Sequence, residues 1–129
     1  MTIIAGYLAT PEGEAAVQRA SEEAILRQQA LVVVDMSSDR VLIDERSLPP
    51  DVEAVRQQVV DAGLEFHLAS PTALDPDDAI VRTAQRRNAA LVVIGLRSRN
   101  PVGKLLFGSV GQNVLLHADC PVLVVKVPE

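Results

Sequence analysis

The chain has 129 residues, of which 48% are hydrophobic and 22% charged, and its formal net charge is -5. This length predicts one compact domain, residues 1–129, and leaves no room for a second. No apolar run reaches the ~20 residues that cross a bilayer, and residues 1–10 lack a basic leader, so we expect a cytoplasmic protein without a membrane partner. The acidic balance argues against nucleic acid as a partner, because a surface that tracks phosphates normally requires a basic domain.

Apolar runs rich in Val and Ile predict five strands, over residues 2–8, 31–36, 65–69, 90–96 and 122–127. Three of these runs are almost continuously apolar, which is typical of strands buried on both faces of a parallel sheet. Residues typical of helix N-termini occur between the predicted strands, at Thr10-Pro11, Pro49-Pro50-Asp51, Asp75-Pro76 and Ser109. The apolar faces of the first three helices are predicted to contain Ala16, Val17, Ala20, Ala24, Val52, Val55, Val59, Ile80, Val81 and Ala84.

Strict alternation of strand and helix predicts the α/β class, with a single doubly wound sheet of five parallel strands and about four helices. In such sheets ligands bind beyond the carboxyl ends of the strands, where the strand order reverses. This places the turn of residues 8–10 beside the loop of residues 95–109, and makes that pair of segments the candidate binding region.

The loop of residues 94–110, IGLRSRNPVGKLLFGSV, combines three glycines with three cations and leads into a helix. A glycine-containing loop followed by a helix N-terminus favours an anion, since unpaired N–H groups and the helix dipole converge there. No acidic residue occurs between Ala79 and Ala118, where six cations stand, so this segment is positive in an acidic chain and suits a small anionic ligand. A tight turn and helix cap with no ligand is the alternative interpretation of Gly108-Ser109.

Two familiar phosphate motifs are excluded. The P-loop pattern fails at residues 98–105, because Ser98 replaces its first glycine and Leu105 its magnesium-binding hydroxyl residue. The dinucleotide fingerprint of spaced glycines is absent after the first strand.

The spacing does resemble the signature of the universal stress protein family, in which a strand is followed by G-x-x-G, nine residues and G-[ST]. Here residues 95–98 are followed by nine residues and Gly108-Ser109, and the chain closes with HADCPVLVV at 117–125. The resemblance also covers the first and third helices and the fourth strand. It implies a Rossmann-like fold of the adenine nucleotide alpha-hydrolase type, with strand order 3-2-1-4-5.

In members that bind ATP, the resemblance implies a site for ATP or another adenine nucleotide, with Mg if ATP is bound. The corresponding residues of this chain are Thr10, Val33, Gly95, Arg97, Ser98, Arg99, Gly108, Ser109 and Val110. Among them, Val33 matches the position whose backbone meets the adenine. The positions that surround phosphates and ribose are Gly95, Ser98, Gly108, Ser109 and Val110. Two departures reduce the match: Leu8 stands where an acidic residue is usual, and Ser98 replaces a glycine.

Features of an enzyme are sparse in the sequence. Only two histidines occur, His67 and His117, and neither a zinc spacing nor a G-x-S-x-G elbow is present. We therefore predict no catalytic residue and no metal site, and a non-enzymatic stress-response or regulatory module with a degenerate nucleotide site. The alternatives are an ATP- or AMP-binding member with slow or no hydrolysis, and an interaction domain that binds nothing small.

The last predicted strand is strongly apolar and close to the end of the chain, which favours a covered sheet edge. The resemblance implies antiparallel pairing of two such strands. We therefore expect a homodimer whose interface contains Val122, Leu123, Val124, Val125, Lys126 and Val127.

Overall fold

Strand and helix alternate along the chain in the computed structural model, which describes residues 1–36, 47–69, 76–96 and 108–127. The strands are β1 (Thr2–Tyr7), β2 (Ala30–Asp35), β3 (Phe66–Ala69), β4 (Ala89–Gly95) and β5 (Val122–Val125). The helices are α1 (Pro11–Arg27), α2 (Pro50–Asp61), α3 (Pro76–Arg86) and α4 (Gly108–His117). All paired strands are parallel, and the sheet order is β3-β2-β1-β4-β5. The predicted fold class and strand order are confirmed.

The sheet carries a separate apolar core on each face. Side chains of β1 alternate between the two, with Ile3, Ala5 and Tyr7 on one face and Ile4 on the other. The first core packs against α1 and α2, and the second against α3 and α4. All ten predicted apolar-face residues of α1, α2 and α3 are buried, since these helices turn small or branched side chains toward the sheet.

The helix boundaries follow local chemistry. Thr10 caps α1, its hydroxyl oxygen accepting from the N–H of Gly13 at 3.1 Å, and Pro11 occupies the first helical position, where its missing N–H is no loss. After α2, the backbone of Gly63 has a φ of 79°, which glycine adopts without strain.

Three predicted strands are longer than the observed ones: the first, the last, and the third, which begins at Phe66 instead of residue 65. The first ends at Tyr7 instead of residue 8, because the carbonyl of Leu8 accepts from the N–H of Thr10 at 2.8 Å and turns the chain. The last ends at Val125, which pairs with Gly95, the final residue of β4. Lys126 and Val127, predicted as interface residues on the strand, therefore lie beyond it.

Candidate functional site

The carboxyl ends of β1 and β4 lie side by side, because β1 pairs with β4 as well as with β2. The strand order reverses between these two strands, and open α/β sheets bind their ligands at such a point. Leu8 and Thr10 follow β1, and Gly95 ends β4. The turn of residues 8–10 and the first residue of the predicted loop, Gly95, therefore lie at the same edge of the sheet, while residues 97–107 lie outside the described residues.

Gly95 is required by packing. A Cβ added to it would overlap the backbone carbonyl of Glu12, in the first turn of α1. A Cβ added to Gly13 would likewise overlap the backbone carbonyl of Leu8. The sequence pattern links Gly95 to a ligand, whereas the structure gives this glycine a contact with α1 that the pattern does not reveal.

The helix α4 begins at Gly108, one residue before the predicted start. Val110 is half-buried and packs against the core of the α3 and α4 face. The first N–H groups of α4 lack partners within the helix, as at every helix start, and its dipole favours an anion there. Of the other predicted residues in this loop, Arg97, Ser98 and Arg99 lie outside the described residues.

Val33 is placed in the middle of the sheet. It pairs with Ala5 of β1 and Leu68 of β3, and its side chain is fully buried in the core beneath α1 and α2. Its backbone is therefore part of the sheet, two residues before the end of β2, and the adenine contact implied for it stays a prediction. The first residue beyond β2 is Met36, whose N–H donates to the carbonyl of Tyr7 at 3.0 Å.

Tyr7 connects the edge of the sheet to α2. Its side chain is 1% exposed, and its hydroxyl donates to Oδ1 of Asp51 at 3.3 Å. Burial, followed by the charge of Asp51 and the hydrogen bond to it, raises the pKa of Tyr7 to about 12, with smaller contributions from Glu14 and Asp35. The α1 and α2 side of this edge is therefore rich in carboxylates, and its tyrosine is neutral at physiological pH.

The two histidines lie on different parts of the fold. His67 is on the edge strand β3 and lies 3.6 Å from a carboxylate oxygen of Glu65, while His117 ends α4. Within the described ranges, no three His, Cys, Asp or Glu side chains are grouped so that they could hold a metal ion. Asp78 accepts a hydrogen bond from the side-chain amide of Asn113 at 3.2 Å, which ties α3 to α4.

Comparison with known proteins decides the family. The model of the universal stress protein family matches residues 1–126. The chain belongs to this family. A universal stress protein of Mycolicibacterium smegmatis is 39% identical over 125 residues, which cover 96% of each chain.

Solved structures agree with this assignment. A universal stress protein from Archaeoglobus fulgidus has a TM-score of 0.67 and 32% identity, covering 98% of both chains. The structure of the universal stress protein from Archaeoglobus fulgidus in complex with dAMP has a TM-score of 0.62 and 28% identity, again over 98% of both chains. The sheet of this universal stress protein thus has the Rossmann-like arrangement of its relatives.

Two further observations bear on this universal stress protein. None of its described helices is long and apolar enough to span a membrane. At the carboxyl edge, the position expected to be acidic is the half-buried Leu8, whose side chain can accept no hydrogen bond.

Proposed function

We propose that this universal stress protein binds an adenine nucleotide at the carboxyl edge of its sheet, between β1 and β4, as a non-enzymatic regulatory module of reduced affinity. The observation that carries the proposal is the packing of Gly95, at the end of β4, against Glu12 in the first turn of α1, at the point where the strand order reverses. Open α/β sheets bind their ligands at this point. The dAMP complex of the 28% identical relative supports an adenine nucleotide as the ligand.

The phosphates of the nucleotide belong at the start of α4. This helix begins at Gly108 and packs on the same face of the sheet as α3, so the N–H groups of its first turn lie on that face. The first turn of α1 occupies the opposite face above Gly95. The proposed binding region therefore lies on the α3 and α4 face of the sheet.

The reduced affinity follows from Leu8. A carboxylate at this position would accept a charge-assisted hydrogen bond from a ligand hydroxyl, worth about 1.5 to 3 kcal/mol. Its loss corresponds to roughly one to two powers of ten in affinity. Glu12 and Glu14, both in the first turn of α1, add negative charge near this edge and further disfavour highly charged phosphates.

Calorimetric and NMR titrations with AMP, and with ATP and magnesium, test the proposal. We expect weak binding by the wild type and stronger binding by a Leu8→Asp, Ser98→Gly double variant. Micromolar binding by the wild type would contradict the reduced affinity. No binding by either protein would overturn the nucleotide site and favour an interaction domain without a small ligand.

The non-enzymatic part of the proposal has its own assay. Phosphate release from ATP and magnesium is expected to stay at the level of the buffer, also for the double variant when saturated with ATP. Release that rises with protein concentration and persists in an independently purified preparation would contradict it and favour a hydrolysing member of the family.

We also propose a homodimer through β5. The N–H groups of Val92 and Leu96 donate to the carbonyls of Pro121 and Val125, at 3.0 and 2.8 Å. Since backbone groups alternate in direction along a strand, Val122 and Val124 turn theirs away from β4. The half-buried side chains of β5 and these outward donors and acceptors suit antiparallel pairing with a second copy.

A further inference from the structure

A groove of about 920 Å³ follows the outer strand β3, at the side of the sheet opposite to β5. Its apolar part is formed by Leu48, Phe66 and Leu68, which are half-buried and pack against the core of the α1 and α2 face. Its polar part includes His67 of β3 and Arg87, just beyond the end of α3. We call this feature the edge groove. It lies two strands away from β1, and so apart from the proposed nucleotide site.

The backbone of β3 directs hydrogen-bonding groups into the edge groove. The N–H of Leu31 in β2 donates to the carbonyl of Glu65 at 3.0 Å, so the backbone at Glu65 faces β2. Because this direction alternates along a strand, Phe66 and Leu68 turn their N–H and C=O groups away from β2. In the part of the chain that the structure describes, no further strand pairs with that side of β3. Phe66 and Leu68 therefore each offer a donor and an acceptor to the groove.

The edge groove extends over both faces of the sheet. Phe66 and Leu68 belong to the face covered by α1 and α2. His67 pairs with Val32, whose side chain lies in the core of the opposite face, so His67 is directed to the face covered by α3 and α4. A compact ligand would occupy one face, whereas an added strand presents alternate side chains to both. The shape of the groove therefore fits an extended peptide.

The α3 side of the edge groove is positively charged. Arg82 and Arg86 are exposed and one turn apart on α3, and the exposed Arg87 follows. Within the described ranges, none of these three arginines forms an ion pair with an acidic side chain. On the other face the charge of Arg56 is already met by Glu53, whose carboxylate accepts from Nε of Arg56 at 2.9 Å. A partner with acidic side chains on the α3 face is therefore favoured.

We propose that the edge groove binds an extended segment of a partner protein in which acidic side chains alternate with apolar ones. The segment adds a strand to β3 and bonds to the outward backbone groups of Phe66 and Leu68. Its apolar side chains pack against Leu48, Phe66 and Leu68, and its acidic side chains lie toward Arg87. A second copy of this chain fits less well, because antiparallel pairing of two β3 strands would place the arginines of both copies on the same face.

Amide hydrogen exchange followed by NMR tests strand addition at single residues. The probe is the capped heptapeptide EVEVEVE, which is longer than the four residues of β3. At a peptide concentration of ten times the dissociation constant, we expect the amides of Phe66 and Leu68 to exchange about tenfold more slowly. The amide of His67, which faces β2, should change far less. The capped peptide KVKVKVK has the same apolar side chains with the opposite charge and should protect neither Phe66 nor Leu68.

Two charge reversals test the role of Arg87. Arg87→Glu is expected to weaken EVEVEVE binding by about 2- to 10-fold, since it replaces an attraction between exposed charges with a repulsion. Arg19→Glu is the matched control, because Arg19 is exposed on α1 and its reversal changes the net charge by the same amount. This control should bind EVEVEVE as the wild type does. Circular dichroism of both variants checks that the fold is retained.

Each remaining outcome would contradict the proposal. Unchanged exchange of Phe66 and Leu68 at millimolar EVEVEVE would overturn strand addition at β3. Equal protection by KVKVKVK, or equal losses of affinity in Arg87→Glu and Arg19→Glu, would overturn the preference for an acidic partner. Slow exchange of both amides that depends on protein concentration without peptide would replace the partner with a second copy of the chain. Titration with AMP is a separate measurement, so these results leave the proposed nucleotide site unaffected.

Discussion

The backbone carbonyl of Glu12 lies against Gly95, so closely that position 95 accommodates no side chain. This contact joins the first turn of α1 to the end of β4, across the point where the strand order reverses. The position of α1 relative to the end of β4 is thereby set by direct backbone packing.

Substitution of Gly95 should consequently destabilise the fold. A methyl group at this position would displace the backbone of Glu12, which moves less easily than a flexible side chain. We therefore expect Gly95→Ala to lower the free energy of unfolding by about 1–3 kcal/mol. Urea denaturation measures this cost. Gly63→Ala is the comparison, since Gly63 has a φ of 79° with no atom within 4 Å of the added Cβ, and should lose only about 1 kcal/mol through backbone strain. A Gly95→Ala variant as stable as the wild type would contradict the packing role.

The contact between Tyr7 and Asp51 predicts a loss of stability at high pH. The pKa of Tyr7 is raised from 10.0 to about 12 in the folded protein. The protonated hydroxyl therefore stabilises the fold fully below pH ~10, and this contribution, about 2–3 kcal/mol, is lost as the pH rises toward 12. Tyr7→Phe has no titrating hydroxyl, so the pH dependence between 10 and 12 should be smaller in this variant.

Because Tyr7 is the only tyrosine of the chain, ultraviolet absorbance of the tyrosinate reports its titration without interference. The expected midpoint in the folded protein lies near 12. A midpoint close to 10 in protein that is still folded by circular dichroism would show that the hydroxyl is not buried beside Asp51.

The orientation of the backbone in β5 allows dimerisation through this strand to be tested by a single substitution. Val124 directs its N–H away from β4, so Val124→Pro removes a donor at the free edge while the hydrogen bonds between β4 and Pro121 and Val125 remain. Light scattering should find this variant monomeric. Val124→Ala retains the N–H and should remain dimeric at concentrations well above the dissociation constant. A dimeric Val124→Pro variant would exclude pairing through β5.

The architecture could be predicted from the sequence because its signals are local and periodic. Continuous apolar runs marked the buried strands, and Thr10-Pro11 marked the start of α1. Strand ends were less accurate: the sequence does not show that pairing with Gly95 ends β5 at Val125.

The site was predicted less completely, because its decisive contacts join residues far apart in the chain. Tyr7 and Asp51 are 44 positions apart, and no local pattern links them. The contact of Gly95 with Glu12 likewise depends on how α1 packs against the end of β4. A glycine next to a strand end was the one available signal, and it does not distinguish helix packing from ligand contact.

The central claim is an adenine-nucleotide site weakened by Leu8, and calorimetric titration of AMP into the wild type, Leu8→Asp and Leu8→Asn measures it most directly. The carboxylate of Leu8→Asp should tighten binding by about 10- to 100-fold, since a charge-assisted hydrogen bond contributes about 1.5 to 3 kcal/mol. Leu8→Asn introduces a neutral amide of nearly the same shape as the Asp carboxylate. It should tighten AMP binding by a smaller factor than Leu8→Asp. Equal affinities of wild type and Leu8→Asp, or no binding by any of the three proteins, would contradict the account.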